Sequence, residues 1–236
     1  MLKLTDKRLI SILWMLKNKE KKWNILELRK GTEKMLGGKD TGIYSQKKPF
    51  QILNLTLTYG PTFSFVKELE KSGFLLKDSR TNEYTVSKAS DLVKLISFTR
   101  PFNSLEKIEY YSPLDFASTL KTVGNAGFDY AFTIFAGSEL FTPYVKTNQV
   151  HIYVRPGDEP KWKKYLFSKK FLKAEKGQAN LFLIPTKQEV FFRQAEKVKN
   201  FSIVPLPILL SDLFSSGGLA EEQAKNIMEN WLDNRL

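Results

Sequence analysis

The sequence predicts an α+β protein in two parts: a basic, mainly helical part over residues 1–100 and a mixed-sheet α/β part over residues 101–236. Three observations carry this. The net charge of +12 is uneven: residues 1–100 hold 20 Lys+Arg against 10 Asp+Glu, and the other 136 residues hold 17 against 15. Apolar residues in the first part recur with helical spacing and end in two short runs around a polar tip. Beyond Pro101, short strand-like runs alternate with amphipathic ones, as they do in a sheet covered by helices.

In the first part, Thr5 and Asp6 are placed to cap a helix whose apolar stripe is Leu9, Ile10, Ile12, Leu13 and Leu16, ended by "NKEKK". "WNILEL" opens a second helix, with Asn24 as cap and Trp23, Ile25, Leu26 and Leu28 turned inward. In "YGPTFSFVKELEKSGFL", Gly60 breaks the chain and Pro61 suits a first helical turn, because its missing N–H has no partner to lose there. Thr62, Phe65, Val66 and Leu69 fall on one face, Phe63, Ser64, Lys67 and Lys71 on the other, and Gly73 is a stop. Phe74–Lys77 and Glu83–Val86 then pair as strands around Asp78–Asn82.

Three helices and a hairpin with a basic tip follow the order of a winged helix-turn-helix. The third helical segment resembles the third helix of winged-helix regulators, with its Leu-Glu pair and closing Gly, and "WNILEL" resembles their second-helix entry. The resemblance implies that the third helix enters the major groove of double-stranded DNA and that the wing touches backbone. It turns Tyr59, Thr62, Ser64, Lys67 and Lys71 toward DNA and sets Arg80 at the wing tip. One segment departs from that frame. "GGKDTGIYSQKKPFQILNLTLT" is an insertion where three or four residues would suffice. It is helical from Pro49, or else a strand through Phe50, Ile52, Leu55 and Leu57; either way Lys47 and Lys48 are expected near phosphates.

Asp91–Phe98, which follows the hairpin, is a connecting helix, and Pro101 is the boundary to the second part. "KIEYY", "QVHIYV" and "ANLFLI" read as strands. "PLDFASTLKTVG" (opened by Pro113), "PKWKKYLF", "PLPILLSDLF" and "AEEQAKNIMENWL" read as helices, and "YAFTIFAGSELFTPYV" as a strand or buried segment turning into a helix. Gly217 and Gly218 precede a helix start that could accept an anion, although such a pair more often forms only a loop.

The absence of cysteine excludes disulfides and thiol catalysis, and the lone His151 excludes a multi-histidine metal site. The N-terminus lacks a cleavage site, and the greasiest stretches are too short to span a bilayer. A cytoplasmic protein without membrane partner or cofactor is expected.

"FAGSELFTPYVKTNQVHIYV" resembles the frame of the nucleotidyltransferase fold, a Gly-Ser pair at a helix start followed by a strand that carries two alternate acids for metal ions. Gly137 and Ser138 match the pair, but the acidic positions fall on His151 and Tyr153, which cannot supply hard oxygen ligands. Asp158 and Glu159 lie beyond the strand on a turn. With "GQANLFLIP" and "IVPLPILLSDLFSSGGLAEEQAKNIMENWL", the second part resembles the AbiEi-type antitoxins of type IV toxin–antitoxin systems. That resemblance implies an N-terminal winged helix, a catalytically degenerate nucleotidyltransferase-like domain, and a DNA-binding regulator that represses its own operon. It implies as partner a toxin that is itself a nucleotidyltransferase, and is compatible with a homodimer. Two alternatives stand beside it: a divergent metal-dependent nucleotidyltransferase using Asp158 or Glu159, and a winged-helix regulator whose second domain senses a small ligand.

Overall fold

The computed structural model describes residues 4–37 and 58–232. The chain divides into two compact units, Met1–Thr99 and Arg100–Leu236.

Among the described residues the first unit holds four helices and a hairpin: α1 (Asp6–Lys17), α2 (Ile25–Met35), α3 (Tyr59–Lys71), β1 (Leu75–Lys77), β2 (Tyr84–Val86) and α4 (Ala89–Thr99). Thr5 caps α1, its Oγ1 accepting from the Arg8 amide, and the apolar stripe expected of this helix is buried. Asn24 closes a capping box on α2: its side chain accepts from the amides of Leu26 and Glu27, and the Glu27 carboxylate accepts from the Asn24 amide at 2.9 Å. Such a cap contributes about 1 kcal/mol. Leu26 corrects the sequence reading. The inward stripe of α2 is Ile25, Leu28, Thr32 and Met35, and Leu26, one residue round from it, is 55% exposed.

Trp23 ties the unit together. Its backbone exchanges hydrogen bonds with Tyr84 at 3.0 and 2.7 Å, so the approach to α2 pairs with β2. Its ring stacks on Tyr84, centroids 5.5 Å apart, and meets the edge of Trp14 at 5.8 Å. Phe65, Val66 and Leu69 bury one face of α3 in this core. Lys47 and Lys48, with the helix-or-strand question from Pro49 onward, lie outside the described residues.

The second unit is a seven-stranded mixed sheet with helices. In chain order it runs through a 3₁₀ turn (Phe102–Ser104), β3 (Ile108–Tyr111), α5 (Phe116–Gly124), β4 (Tyr130–Thr133), α6 (Ile134–Phe141), β5 (Val150–Val154), α7 (Glu159–Ser168) and β6 (Leu172–Lys173). It ends with β7 (Leu181–Pro185), α8 (Glu189–Arg193), β8 (Glu196–Val198), β9 (Phe201–Ile203), α9 (Leu206–Ser216) and α10 (Leu219–Leu232). The strand order is β6-β3-β7-β5-β4-β9-β8, with β5–β7 and β4–β9 parallel and the other neighbours antiparallel.

Helix α5 starts at Phe116 rather than Pro113, because Asp115 takes the cap position and accepts from the Ser118 amide at 2.7 Å. All five residues of β5 are buried, as expected of a central strand covered on both faces. Helices α9 and α10 pack on each other and on α6, which in turn packs on β4 and β5.

Candidate functional site

Two places hold the residues singled out by the sequence: the outward face of α3 with the hairpin tip, and the α6–β5 frame of the second unit.

On α3, burial of Phe65, Val66 and Leu69 leaves Tyr59, Phe63, Ser64 and Lys71 exposed and Lys67 half-buried. Lys67 pairs with Glu70 at 2.7 Å and stands 5.9 Å above the Phe63 ring. Its hydrogen bond to Glu70 holds its pKa above the ordinary lysine value. Thr62 corrects the expectation that it faces DNA: it is buried, and its hydroxyl donates to the Thr58 carbonyl at 2.9 Å. Its position between the two faces is settled by this bond back along the helix, which suits a hydroxyl pressed against the core.

Arg80 is exposed in the turn between β1 and β2. Asp78 builds that turn: its carboxylate accepts from the Arg80 amide at 3.0 Å and its carbonyl from the Asn82 amide at 2.9 Å, with Asn82 left-handed at φ 57°. Lys22 donates to the same carboxylate at 3.0 Å, and this hydrogen bond is the largest influence holding Asp78 below the usual carboxylate range.

In the second unit Gly137 and Ser138 are not at a helix start. Helix α6 begins at Ile134, and both residues lie inside it, buried. A Cβ on Gly137 would stand 2.9 Å from Leu209 Cδ1 and 3.1 Å from Ile203 Cγ2, so a side chain here would have to displace side chains of α9 and β9. Ser138 Oγ donates to the Phe135 carbonyl at 3.3 Å.

His151 and Tyr153 share one face of β5. The His151 ring stacks on Phe182, centroids 4.4 Å apart, and meets Phe102 edge-on at 5.6 Å. Burial, helped by the nearby Lys107 charge, lowers its pKa from 6.5 to about 3, so the ring is neutral at pH 7. Tyr153 is sealed from solvent and belongs to a buried network that the sequence reading missed. The Asp212 carboxylate on α9, 0% exposed, accepts from Arg100 Nη1 at 2.6 Å, from the Thr133 hydroxyl at 2.7 Å and from the Tyr153 hydroxyl at 2.9 Å. Arg100 also donates to the Tyr153 hydroxyl and lies over the Phe191 ring at 4.9 Å. Burial works to lower the Arg100 pKa, but Asp212 and Tyr153 outweigh it and hold it above its ordinary value. Burial, with the Asp212 charge, pushes Tyr153 well up. The signal available in the sequence was one acid, Asp212, inside the apolar run "PLPILLSDLF"; such an acid is tolerated only when paired.

Asp158 and Glu159 lie on the turn into α7: Asp158 pairs with Lys161 at 2.7 Å, and Glu159 accepts from the Gly157 amide at 2.6 Å. Among the described residues no group of three or more His, Asp or Glu could hold a metal ion. The near-neutral balance of the second unit conceals a segregation. Residues 161–176 carry seven lysines against one glutamate, and all seven lysines are exposed.

A family model described as "Transcriptional regulator, AbiEi antitoxin, Type IV TA system" matches residues 107–233, more than half of the chain. No curated protein and no solved structure matches the chain. Among the described residues no helix is long and apolar enough to cross a membrane.

Two outcomes follow from the geometry of the second unit. Asp212→Ala leaves Arg100 buried without its carboxylate and should cost about 3–5 kcal/mol in a urea titration; a loss below 1 kcal/mol would show that the network carries little of the fold. His151→Phe tests the buried ring. The unfolded chain takes up a proton near 6.5 and the folded chain only near 3, so His151 lowers stability as pH falls through that window. Between pH 7 and pH 5 the wild type should lose about 2 kcal/mol more than the variant. Equal losses would mean that His151 is protonated in the fold.

Proposed function

The chain belongs to the AbiEi family of transcriptional-regulator antitoxins of type IV toxin–antitoxin systems, and from that premise we propose that it is a duplex-DNA-binding autorepressor. The first unit acts as a winged helix whose α3 enters the major groove and whose β1–β2 hairpin is the wing. The observation that carries this reading is the two-sidedness of α3. One face is core, while the other presents Ser64 and Lys71 to solvent, with the half-buried Lys67 between them, in the unit where residues 1–100 hold twenty cations against ten acids. Base contacts fall to Tyr59 and Ser64 near the helix N-terminus, and phosphate contacts to Lys67, Lys71 and Arg80. The lysines of 161–176 offer a second polyanion surface on the other unit. A toxin that is itself a nucleotidyltransferase is the expected partner.

The second unit is read as a nucleotidyltransferase-like domain without catalysis. The positions that would carry metal-holding acids are a neutral His151 between aromatic rings and a Tyr153 committed to Asp212 and Arg100. Gly137 and Ser138 serve helix packing instead of a phosphate.

Lys71→Ala should weaken binding to all duplex sequences alike and lower the slope of log K against log salt by about one, as one phosphate contact is lost. Titrations by fluorescence anisotropy at several salt concentrations measure it, and unchanged binding with an intact fold would remove α3 from the DNA interface. The protein should transfer no labelled nucleotide with magnesium or manganese. Incorporation that Asp158→Asn abolishes would instead make it an enzyme with its metal site on the α7 turn.

A further inference from the structure

The outward face of α3 divides along its length. Lys67 and Lys71 occupy its C-terminal half, and Tyr59, Gly60, Phe63 and Ser64 its N-terminal half. Tyr59 is 52% and Phe63 39% exposed, their rings stacked 6.1 Å apart with planes inclined by 15°. Keeping two large rings partly in water forgoes stabilisation that their burial would supply, and Phe65, two residues from Phe63, shows where this helix buries a ring for stability. Beside the pair the backbone is bare: a Cβ on Gly60 would meet no heavy atom within 4 Å, and Gly60 lies one turn before Phe63 and Ser64. A flat apolar ridge next to open backbone, followed by cations along the same face, suits a groove that offers apolar groups between rows of phosphate. In the major groove of DNA the one apolar group on a base edge is the 5-methyl of thymine.

We propose that Phe63, backed by Tyr59, reads thymine 5-methyl groups in the major groove. This rests on the reading that α3 enters duplex DNA. Phe63 then sets sequence preference through an apolar contact, while the lysines of the same helix bind phosphates without regard to sequence. Gly60, one turn before Phe63, leaves its stretch of backbone open, so a base edge can approach it.

The test uses the full chain and a duplex that it enriches from a randomised pool, resynthesised with deoxyuridine in place of each thymidine in turn. That change deletes only the methyl group and leaves base pairing intact. The wild type should bind about three- to fivefold more weakly at each contacted position, the loss expected for one buried carbon group. Phe63→Ala should bind the two duplexes equally, and Phe63→Leu should keep part of the preference. Because Phe63 is exposed, an unchanged melting curve for Phe63→Ala verifies the fold. Equal binding of both duplexes by the wild type, or a thymine preference that survives in Phe63→Ala, overturns the proposal. If Lys71→Ala still weakens binding in that case, α3 remains the DNA-binding helix. If Lys71→Ala changes nothing, the underlying reading of α3 fails as well.

Discussion

The second unit is organised around one buried carboxylate. Asp212 sits in the middle of an apolar helix, where an unpaired charge would cost several kcal/mol or more. It is tolerated because three donors converge on it from three places: Arg100 at the head of the unit, Thr133 at the end of β4 and Tyr153 on the central strand β5. Each donor fixes an element. Thr133 and Tyr153 hold α9 against the two central strands. Arg100 holds the chain just after α4, and the same stretch is fastened again where Ser215 Oγ accepts from the Phe102 amide at 3.0 Å and the Ser215 carbonyl accepts from Asn103 at 3.2 Å. A network of this kind adds little net stability over an apolar core, but it defines one register of helix on sheet, because any slip leaves several buried polar groups unpaired.

The same network decides what the face of β5 can do. A strand position that holds a catalytic metal must present oxygen ligands to an open, wet cavity. Here the two alternate positions are closed by different means: His151 is filled in by Phe182 and Phe102, and Tyr153 spends its hydroxyl on Asp212 and Arg100. The Asp212 carboxylate, which could otherwise attract a cation, has its two oxygens occupied by the guanidinium and two hydroxyls.

What could be read from the chain follows the range of the interaction involved. The stripe of α1, the Asn24–Glu27 capping box and the two faces of α3 depend on residues three or four apart, and helical periodicity exposes them. Leu26 and Thr62 were misread because a side chain at the border of a stripe is decided by its neighbours in space. The β8–β9 hairpin escaped notice because its turn is Lys199–Asn200, both left-handed, where an Asn-Gly signal would be the familiar one. Gly137 matched the Gly-Ser pair of a helix start, yet what a side chain there would meet first is Leu209, some seventy residues on in the chain. Arg100 lies between the expected connecting helix Asp91–Phe98 and the boundary at Pro101 with nothing local to mark it, and its partner Asp212 lies 112 residues away. Such pairings leave no periodic trace; only the oddity of an acid in an apolar run points to them.

Helix α3 shows the opposite economy to α9. In α9 nearly every side chain is buried and the single charge is satisfied internally. In α3 half the circumference is withheld from the core, although the sequence there includes two aromatic residues able to fill one. Polar residues alone would have kept that face soluble. Placing Tyr59 and Phe63 on it, with Lys67 above the ring and Lys71 one turn further along, forgoes burial and orders rings beside cations. Phosphates call for charge and are indifferent to shape, while base edges call for shape and hydrogen bonding and carry no charge. On the proposed reading of α3 as the DNA-binding helix, rings and a hydroxyl toward its N-terminus and cations toward its C-terminus separate these two demands along its axis, so each can be altered by substitution without the other.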